Sequence, residues 1–320
     1  MTRNFCLTAV FASGCVIGPL GIAGTSAANS GWEFVLEFGN GPGDMAVDSS
    51  HNVYDLHDNR VQVFTPEGMY LREWTVLANS RSIAIDENDV VYVLSRCRVV
   101  GYTTDGDPVL GWDSCIGQGD LQQGFGIDVR AGLVYIGTAS DLLKFATDGT
   151  LLDVFEDGGN WRSVKVLADG SVWVVNSDTG YGLVRHFSGD GEVLAEWTTI
   201  LPGEEGSYPR GLDLDTLGRI FVVDEGARVK IFLSDGTLDD LIQWQLRIFA
   251  NLDLDGDDVL YVGADFPAGV MKFHHKVTLV EPSTWGSIKS RFRCCRLPAL
   301  RFSFRLADGR IRQATSAVVK

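Results

Sequence analysis

The sequence predicts an all-β fold: a six-bladed β-propeller of four-stranded antiparallel blades, its ring closed by the N-terminal strand. Three observations predict it. An aromatic recurs at Phe64, Tyr102, Phe145, Phe187, Phe232 and Phe273, at intervals of 38, 43, 42, 45 and 41 residues. Four residues after each of the first five stands a glycine preceded by an acid: Glu67-Gly68, Asp105-Gly106, Asp148-Gly149, Asp190-Gly191 and Asp235-Gly236. A second aromatic position, Tyr54, Tyr92, Tyr135, Trp173, Phe221 and Tyr261, follows a short alternating run in each unit. A period of this length with four short strands is a propeller blade.

Each element follows from local chemistry. Runs such as Met45-Ala46-Val47-Asp48, Ser82-Ile83-Ala84-Ile85-Asp86, Gly211-Leu212-Asp213-Leu214-Asp215 and Asn251-Leu252-Asp253-Leu254-Asp255 alternate with period two and end at a polar turn. The acid-Gly pair is a hairpin turn, because both residues tolerate positive φ. Six residues after the glycine comes an outer aromatic: Trp74, Trp112, Phe155 and Trp197. The sixth unit lacks the acid-Gly turn and stops at His274-His275. Its missing outer strand is Trp32-Glu33-Phe34-Val35-Leu36-Glu37-Phe38, whose pattern matches Tyr70-Leu71-Arg72-Glu73-Trp74. Such closure removes exposed sheet edges.

Composition sets the class and the boundaries. The chain has 320 residues, 45% hydrophobic, with 37 glycines and 10% aromatics, which suits short strands joined by tight turns. The net charge of −15 argues against a nucleic-acid partner. Charge is uneven: residues 276–320 hold ten Lys/Arg against two acids, so the tail is +8 and the remainder −23. Arg3, the apolar stretch from Phe5 to Ile22 and the small residues Gly24-Thr25-Ser26-Ala27-Ala28 read as an export signal. The expected organisation is therefore a signal peptide at 1–28, a propeller at 29–276 and a disordered basic tail at 277–320. The protein is expected to be secreted or periplasmic, monomeric, and without a membrane span in the mature chain. Ala12-Ser13-Gly14-Cys15 resembles a lipobox with Ala12 at the usual Leu position, which would place a lipid on Cys15.

Family resemblances add expectations. Asp48-Ser49-Ser50-His51-Asn52-Val53-Tyr54-Asp55 with Arg60-Val61-Gln62-Val63-Phe64 resembles an NHL repeat. So does Tyr208-Pro209-Arg210-Gly211-Leu212-Asp213-Leu214-Asp215 with Arg219-Ile220-Phe221-Val222-Val223-Asp224 and Arg228-Val229-Lys230-Ile231-Phe232. The likeness covers roughly 240 of the 320 residues, and blade three departs from it with Arg130 at the usual Asp. It implies fold far more than function. Related propellers include lyases and lactonases, which implies a channel metal held by His, Asp, Glu or Asn. Ubiquitin-ligase NHL proteins join the repeats to a RING, and no CxxC pair exists here to build one. Glu281-Pro282-Ser283-Thr284-Trp285 resembles the start of a PEP-CTERM sorting tail, but Gly286-Ser287-Ile288-Lys289-Ser290-Arg291 follows in place of that family's apolar span.

Candidate site residues are few. The five histidines, His51, His57, His186, His274 and His275, share no inner-strand position, so neither catalytic residues, a channel metal nor a cofactor is expected. Asp253-Leu254-Asp255-Gly256-Asp257-Asp258 begins like a calcium loop, but Ala264 stands where the twelfth-position Glu would be, so the aspartates read as turn caps. The recurring tryptophans read as packing between blades rather than a sugar-binding ring. Arg81, Arg162 and Arg210 align just before the inner strands of blades two, four and five. They would converge at one channel mouth and bind a carboxylate or phosphate of an unidentified protein or anionic ligand, with the loop Pro202–Tyr208 beside them. The alternative expectation is a periplasmic metal-dependent propeller lyase or hydrolase. Cys97 and Cys115 lie in one repeat and form a disulfide or remain two free thiols.

Overall fold

A computed structural model describes residues 31–39, 43–115, 124–156, 158–177, 182–204, 206, 208–244, 249–265 and 268–276, together with the strands 301–305 and 311–315. The expected signal peptide, Cys15 and the Glu281–Trp285 stretch lie outside the described residues. Among the described residues every regular element is a strand, and no helix is long and apolar enough to cross a membrane.

Six four-stranded antiparallel sheets form the propeller. The chain enters on β1 (Trp32–Phe38). Blade one is β2 (Asp44–Val47), β3 (Val53–His57), β4 (Arg60–Phe64) and β5 (Tyr70–Thr75). Blade two is β6 (Ser80–Ile85), β7 (Val91–Ser95), β8 (Arg98–Tyr102) and β9 (Pro108–Asp113). Blade three is β10 (Gly126–Arg130), β11 (Leu133–Gly137), β12 (Asp141–Ala146) and β13 (Leu151–Glu156). Blade four is β14 (Trp161–Val166), β15 (Val172–Asn176), β16 (Leu183–Phe187) and β17 (Val193–Thr198). Blade five is β18 (Pro209–Leu214), β19 (Ile220–Asp224), β20 (Arg228–Phe232) and β21 (Leu238–Gln243). Blade six is β22 (Phe249–Leu254), β23 (Leu260–Asp265) and β24 (Ala268–His275), completed on its outer side by β1. β1 runs antiparallel to β24 from Trp32↔His275 to Phe38↔Val270, and the Lys276 N–H donates to the Gly31 carbonyl at 2.6 Å.

The acid-Gly turns serve two purposes. Gly106 and Gly149 have φ of +91° and +87°, where only glycine is unstrained. A Cβ on either would also strike the outer aromatic of the preceding blade: Trp74 at 2.6 Å and Trp112 at 2.5 Å. Gly68, Gly191 and Gly236 meet Phe38, Phe155 and Trp197 in the same way. The outer aromatics therefore lie flat under the next blade's turn, as interblade packing requires.

Apolar side chains fill the seam between each pair of blades. Between blades one and two these include Tyr54, Val61, Val63, Ile83, Val91 and Val93. Trp32 extends the core between blades five and six, edge-on to Phe221 at 5.4 Å. A second unit, Val277–Lys320, is separate. Within it β25 (Arg301–Arg305) pairs antiparallel with β26 (Ile311–Thr315). Alternation in Arg301-Phe302-Ser303-Phe304-Arg305 suits a strand.

The turn geometry makes a measurable distinction. Gly218 also has positive φ (+76°), but nothing lies within 4 Å of its would-be Cβ. In urea unfolding, Gly218→Ala is expected to cost about 1 kcal/mol for the backbone alone. Gly106→Ala should cost about 3 kcal/mol, since Trp74 must also be displaced.

Candidate functional site

The inner strands place the site. Four of them carry a β-bulge near their start, between Ser80 and Ser82, Trp161 and Ser163, Pro209 and Gly211, and Phe249 and Asn251. A bulge re-aims the extra residue's side chain. The residues so placed are Arg81, Arg162, Arg210 and Ala250, with Phe125 and Gly43 at the corresponding positions of blades three and one. All six line one cavity of about 560 Å³ on the propeller axis.

The structure therefore brings the three arginines to one cavity, but it uses them differently. Arg210 is held at the rim by Glu225, its Nε donating to Oε1 at 2.7 Å. Arg81 and Arg162 both lie against Phe125, their guanidinium carbons 5.3 and 4.4 Å from the ring centroid. Arg81 Nη1 reaches the Gly124 carbonyl at 3.5 Å, and Arg162 Nε donates to Ser177 Oγ at 3.1 Å. Burial, then the like charge of Arg96, pushes the Arg81 pKa down. Positive charge is thus concentrated at this mouth.

The loop expected beside the arginines is committed elsewhere in part. Glu204 turns inward, accepting from Lys230 Nζ at 2.7 Å and from the Leu201 N–H at 2.9 Å, and it also pairs with Arg228. Its carboxylate thus stabilises the buried Lys230 rather than facing a ligand. Glu205 and Ser207 lie outside the described residues.

Cys97 and Cys115 are joined by a disulfide, Cα–Cα 4.9 Å. It ties the turn between β7 and β8 to the chain leaving β9. The Arg96 carbonyl in that turn accepts from the Gly124 N–H at 3.2 Å, directly before Phe125. The disulfide thereby supports one side of the mouth.

Deeper in the cavity lies a charged layer that the sequence reading missed. Lys165 Nζ sits 2.8 Å from Asp213 Oδ1 and 3.5 Å from Asp253 Oδ1. Asp128 adds a third carboxylate to its surroundings. Burial opposes charge on Lys165, but the Asp213, Asp253 and Asp128 carboxylates outweigh it and hold its pKa well above the usual lysine value. One ammonium cannot offset three carboxylates. Burial therefore raises the Asp128 and Asp253 pKa values despite Lys165. The signal was present in the sequence: Asp128, Lys165, Asp213 and Asp253 align one position after the central apolar residue of their strands.

The histidines are dispersed. His51 Nδ1 meets Asp255 at 3.0 Å, His57 meets Asp58 at 3.2 Å, and His186 stacks on Trp173 at 4.1 Å. His274 and His275 end β24. Among the described residues, no group of three or more His, Cys, Asp or Glu is arranged to hold a metal ion. In the Asp253–Asp258 turn, Asp255 Oδ1 accepts from the Asp257 and Val259 N–H groups, each at 3.0 Å, as a turn cap does.

The buried Lys165 cluster has a pH signature. Lys165→Met leaves three buried carboxylates unopposed, and protonation relieves them. The variant is expected to lose about 3–5 kcal/mol at pH 8 and less at pH 5, in urea unfolding at the two pH values.

No protein-family model and no curated protein matches the chain, so the NHL likeness rests on the residues quoted above. Solved structures match its fold. A gluconolactonase from Xanthomonas campestris has a TM-score of 0.60 at 15% identity, covering 75% of this chain and 88% of that one. A streptogramin B lyase has a TM-score of 0.58 at 11% identity, covering 77% and 98%. The WD40 β-propeller domain of Doa1 has a TM-score of 0.55 at 15% identity, with the same coverage. At such identities the likeness is one of architecture, and the chain is a six-bladed β-propeller.

Proposed function

We propose that this propeller is a non-catalytic binding module that receives an anionic group, a carboxylate or phosphate, at the channel mouth. One observation carries the reading: Arg81 and Arg162 flank Phe125 in one cavity, with Arg96 adding positive charge beside them. A guanidinium is a planar fork of five donors that suits a carboxylate or phosphate, and two of them beside one aromatic ring concentrate positive charge for an incoming anion. Arg210 contributes less, because Glu225 already occupies it. We also read the chain as exported, to a secreted or periplasmic location. The apolar segment before residue 29 and the Cys97–Cys115 disulfide support that reading.

A second reading, a metal-dependent propeller lyase or hydrolase, is favoured by one observation. Asp44 lines the same cavity, and burial pushes its pKa up to about 6, so it could exchange a proton near neutral pH. Elemental analysis of the purified chain separates the two: a stoichiometric, chelator-resistant metal would favour the enzyme.

Calorimetric titration in low salt with inorganic phosphate and with hexaglutamate tests the binding reading. Arg81→Gln and Arg162→Gln are each expected to weaken binding about tenfold or more, and Arg210→Gln by no more than about threefold. Affinity should fall as salt is raised. If neither probe binds the wild type, or all three variants behave alike, the reading fails.

A further inference from the structure

Five of the six blades place an apolar residue at one position of their second strand: Val93, Ile136, Val174, Val222 and Val262. Each is buried in the seam against the preceding blade. Blade one has Asp55 there. It is 1% exposed, and its carboxylate has no side-chain partner and no counter-charge; the Gly43 N–H is the backbone donor that bears on it. Its seam is the one that closes the ring, between blades six and one.

Around Asp55 stand one acid, Asp44, and one amide, Gln62, and across the same seam the buried Lys272 of β24 donates its Nζ to the Pro66 carbonyl at 2.7 Å rather than to a carboxylate. Asp55 lies opposite Met45 on β2 and Gln62 on β4. A Cβ on Gly39, the residue after β1, would stand 3.4 Å from Asp55 Oδ2 and 3.7 Å from the Val270 side chain of β24. The charged group bearing on it is Asp44 on β2, which is also an acid. Burial first, then Asp44, pushes the Asp55 pKa up to about 7, although the Gly43 N–H draws it down. The seam is also the leanest among the described residues. Its buried cluster holds four side chains, Met45, Val53, Tyr261 and Val270, where the seam between blades five and six holds fifteen.

We propose that the closing seam is a proton-operated latch: the ring is shut tight with Asp55 protonated, and ionisation of Asp55 loosens β1, β24 and blade one from each other. A neutral carboxyl is tolerated in an apolar seam, whereas a carboxylate with no counter-charge is costly there. The sign follows from linkage. An acid whose folded pKa is raised binds its proton more tightly when folded. The stability it supports is present below its ordinary value, near 4, and is lost as pH rises through about 7. The latch involves neither Arg81 nor Arg162, so it stands or falls apart from the binding reading.

The experiment compares the full-length wild type with Asp55→Val and Asp55→Asn at pH 5.5, 7 and 8.5. Valine is what four of the other five blades carry at this position, so Asp55→Val is expected to fold. Its gain in Tm over wild type should be small at pH 5.5 and exceed about 5 °C at pH 8.5. Asp55→Asn should likewise remove the extra pH dependence. Hydrogen exchange, corrected for the intrinsic pH effect, should locate the loosening. In the wild type, amide protection in β1 and β24 should fall at least about tenfold between pH 5.5 and 8.5, with blades three and four unchanged. Three outcomes would each overturn the latch: a pH-independent difference between Asp55→Val and wild type, a loss of protection spread evenly over all blades, or removal of the pH dependence by Asp44→Asn but not by Asp55→Val.

Discussion

Every inner strand of a propeller has one unpaired edge facing its neighbour, and here six side chains bridge those edges in an unbroken circuit. Asp44 Oδ2 accepts from the Ile83 N–H at 2.9 Å, joining blade one to blade two. Ser82 Oγ accepts from Ile127 at 3.1 Å, and Asp128 Oδ2 accepts from Val166 at 2.7 Å. Ser163 Oγ accepts from Leu212 at 3.1 Å, Asp213 Oδ2 from Leu254 at 2.8 Å, and Asp253 Oδ2 from Val47 at 2.8 Å, which returns the circuit to blade one. Each bond satisfies a backbone donor that would otherwise be stranded in a narrow channel. The apolar seams supply most of the burial, but this ring sets how closely the inner strands approach. It thereby fixes the width of the cavity and the position of everything at its mouth.

The circuit also accounts for the charge deep in the channel. Four of its six acceptors are aspartates, which brings several carboxylates close together in a partly dehydrated space. Lys165 answers that repulsion from blade four, one of the two blades whose own acceptor is a serine. The cavity is consequently layered, with guanidinium groups at the mouth and a carboxylate–ammonium cluster beneath them. On the binding reading proposed above, an anion entering from the arginine side would meet attraction first and repulsion deeper in.

Much of the fold is legible in the sequence because it rests on strong local signals. The acid-Gly turns and the outer aromatics repeat because the same contact, glycine on aromatic ring, is made at successive seams. Trp32–Phe38 is recognisable as a displaced strand for the same reason: Phe38 occupies the ring position under Gly68. The mouth is legible in part. Arg81, Arg162 and Arg210 align and do line one cavity, but alignment alone cannot foresee that Glu225 captures Arg210, since that pairing depends on the register of β18 with β19. Phe125 escaped notice because it is aromatic where three of its five counterparts are basic. The lacing ring is hidden for a different reason. Its acceptors are four aspartates and two serines split between two strand positions two residues apart, so no fixed residue type at one position marks it.

Completion of blade six by β1 has a mechanical consequence. Gly31 and Lys276, where the chain enters and leaves the propeller, are hydrogen-bonded neighbours on the outer rim of a single blade. Tension applied through the two ends would load the Trp32–His275 pair first and then each following pair in turn, peeling β1 away from β24 like a zipper. Rungs loaded one at a time resist far less than rungs sheared together. The ring would therefore open under a modest pull, provided that the pull comes from its own two ends.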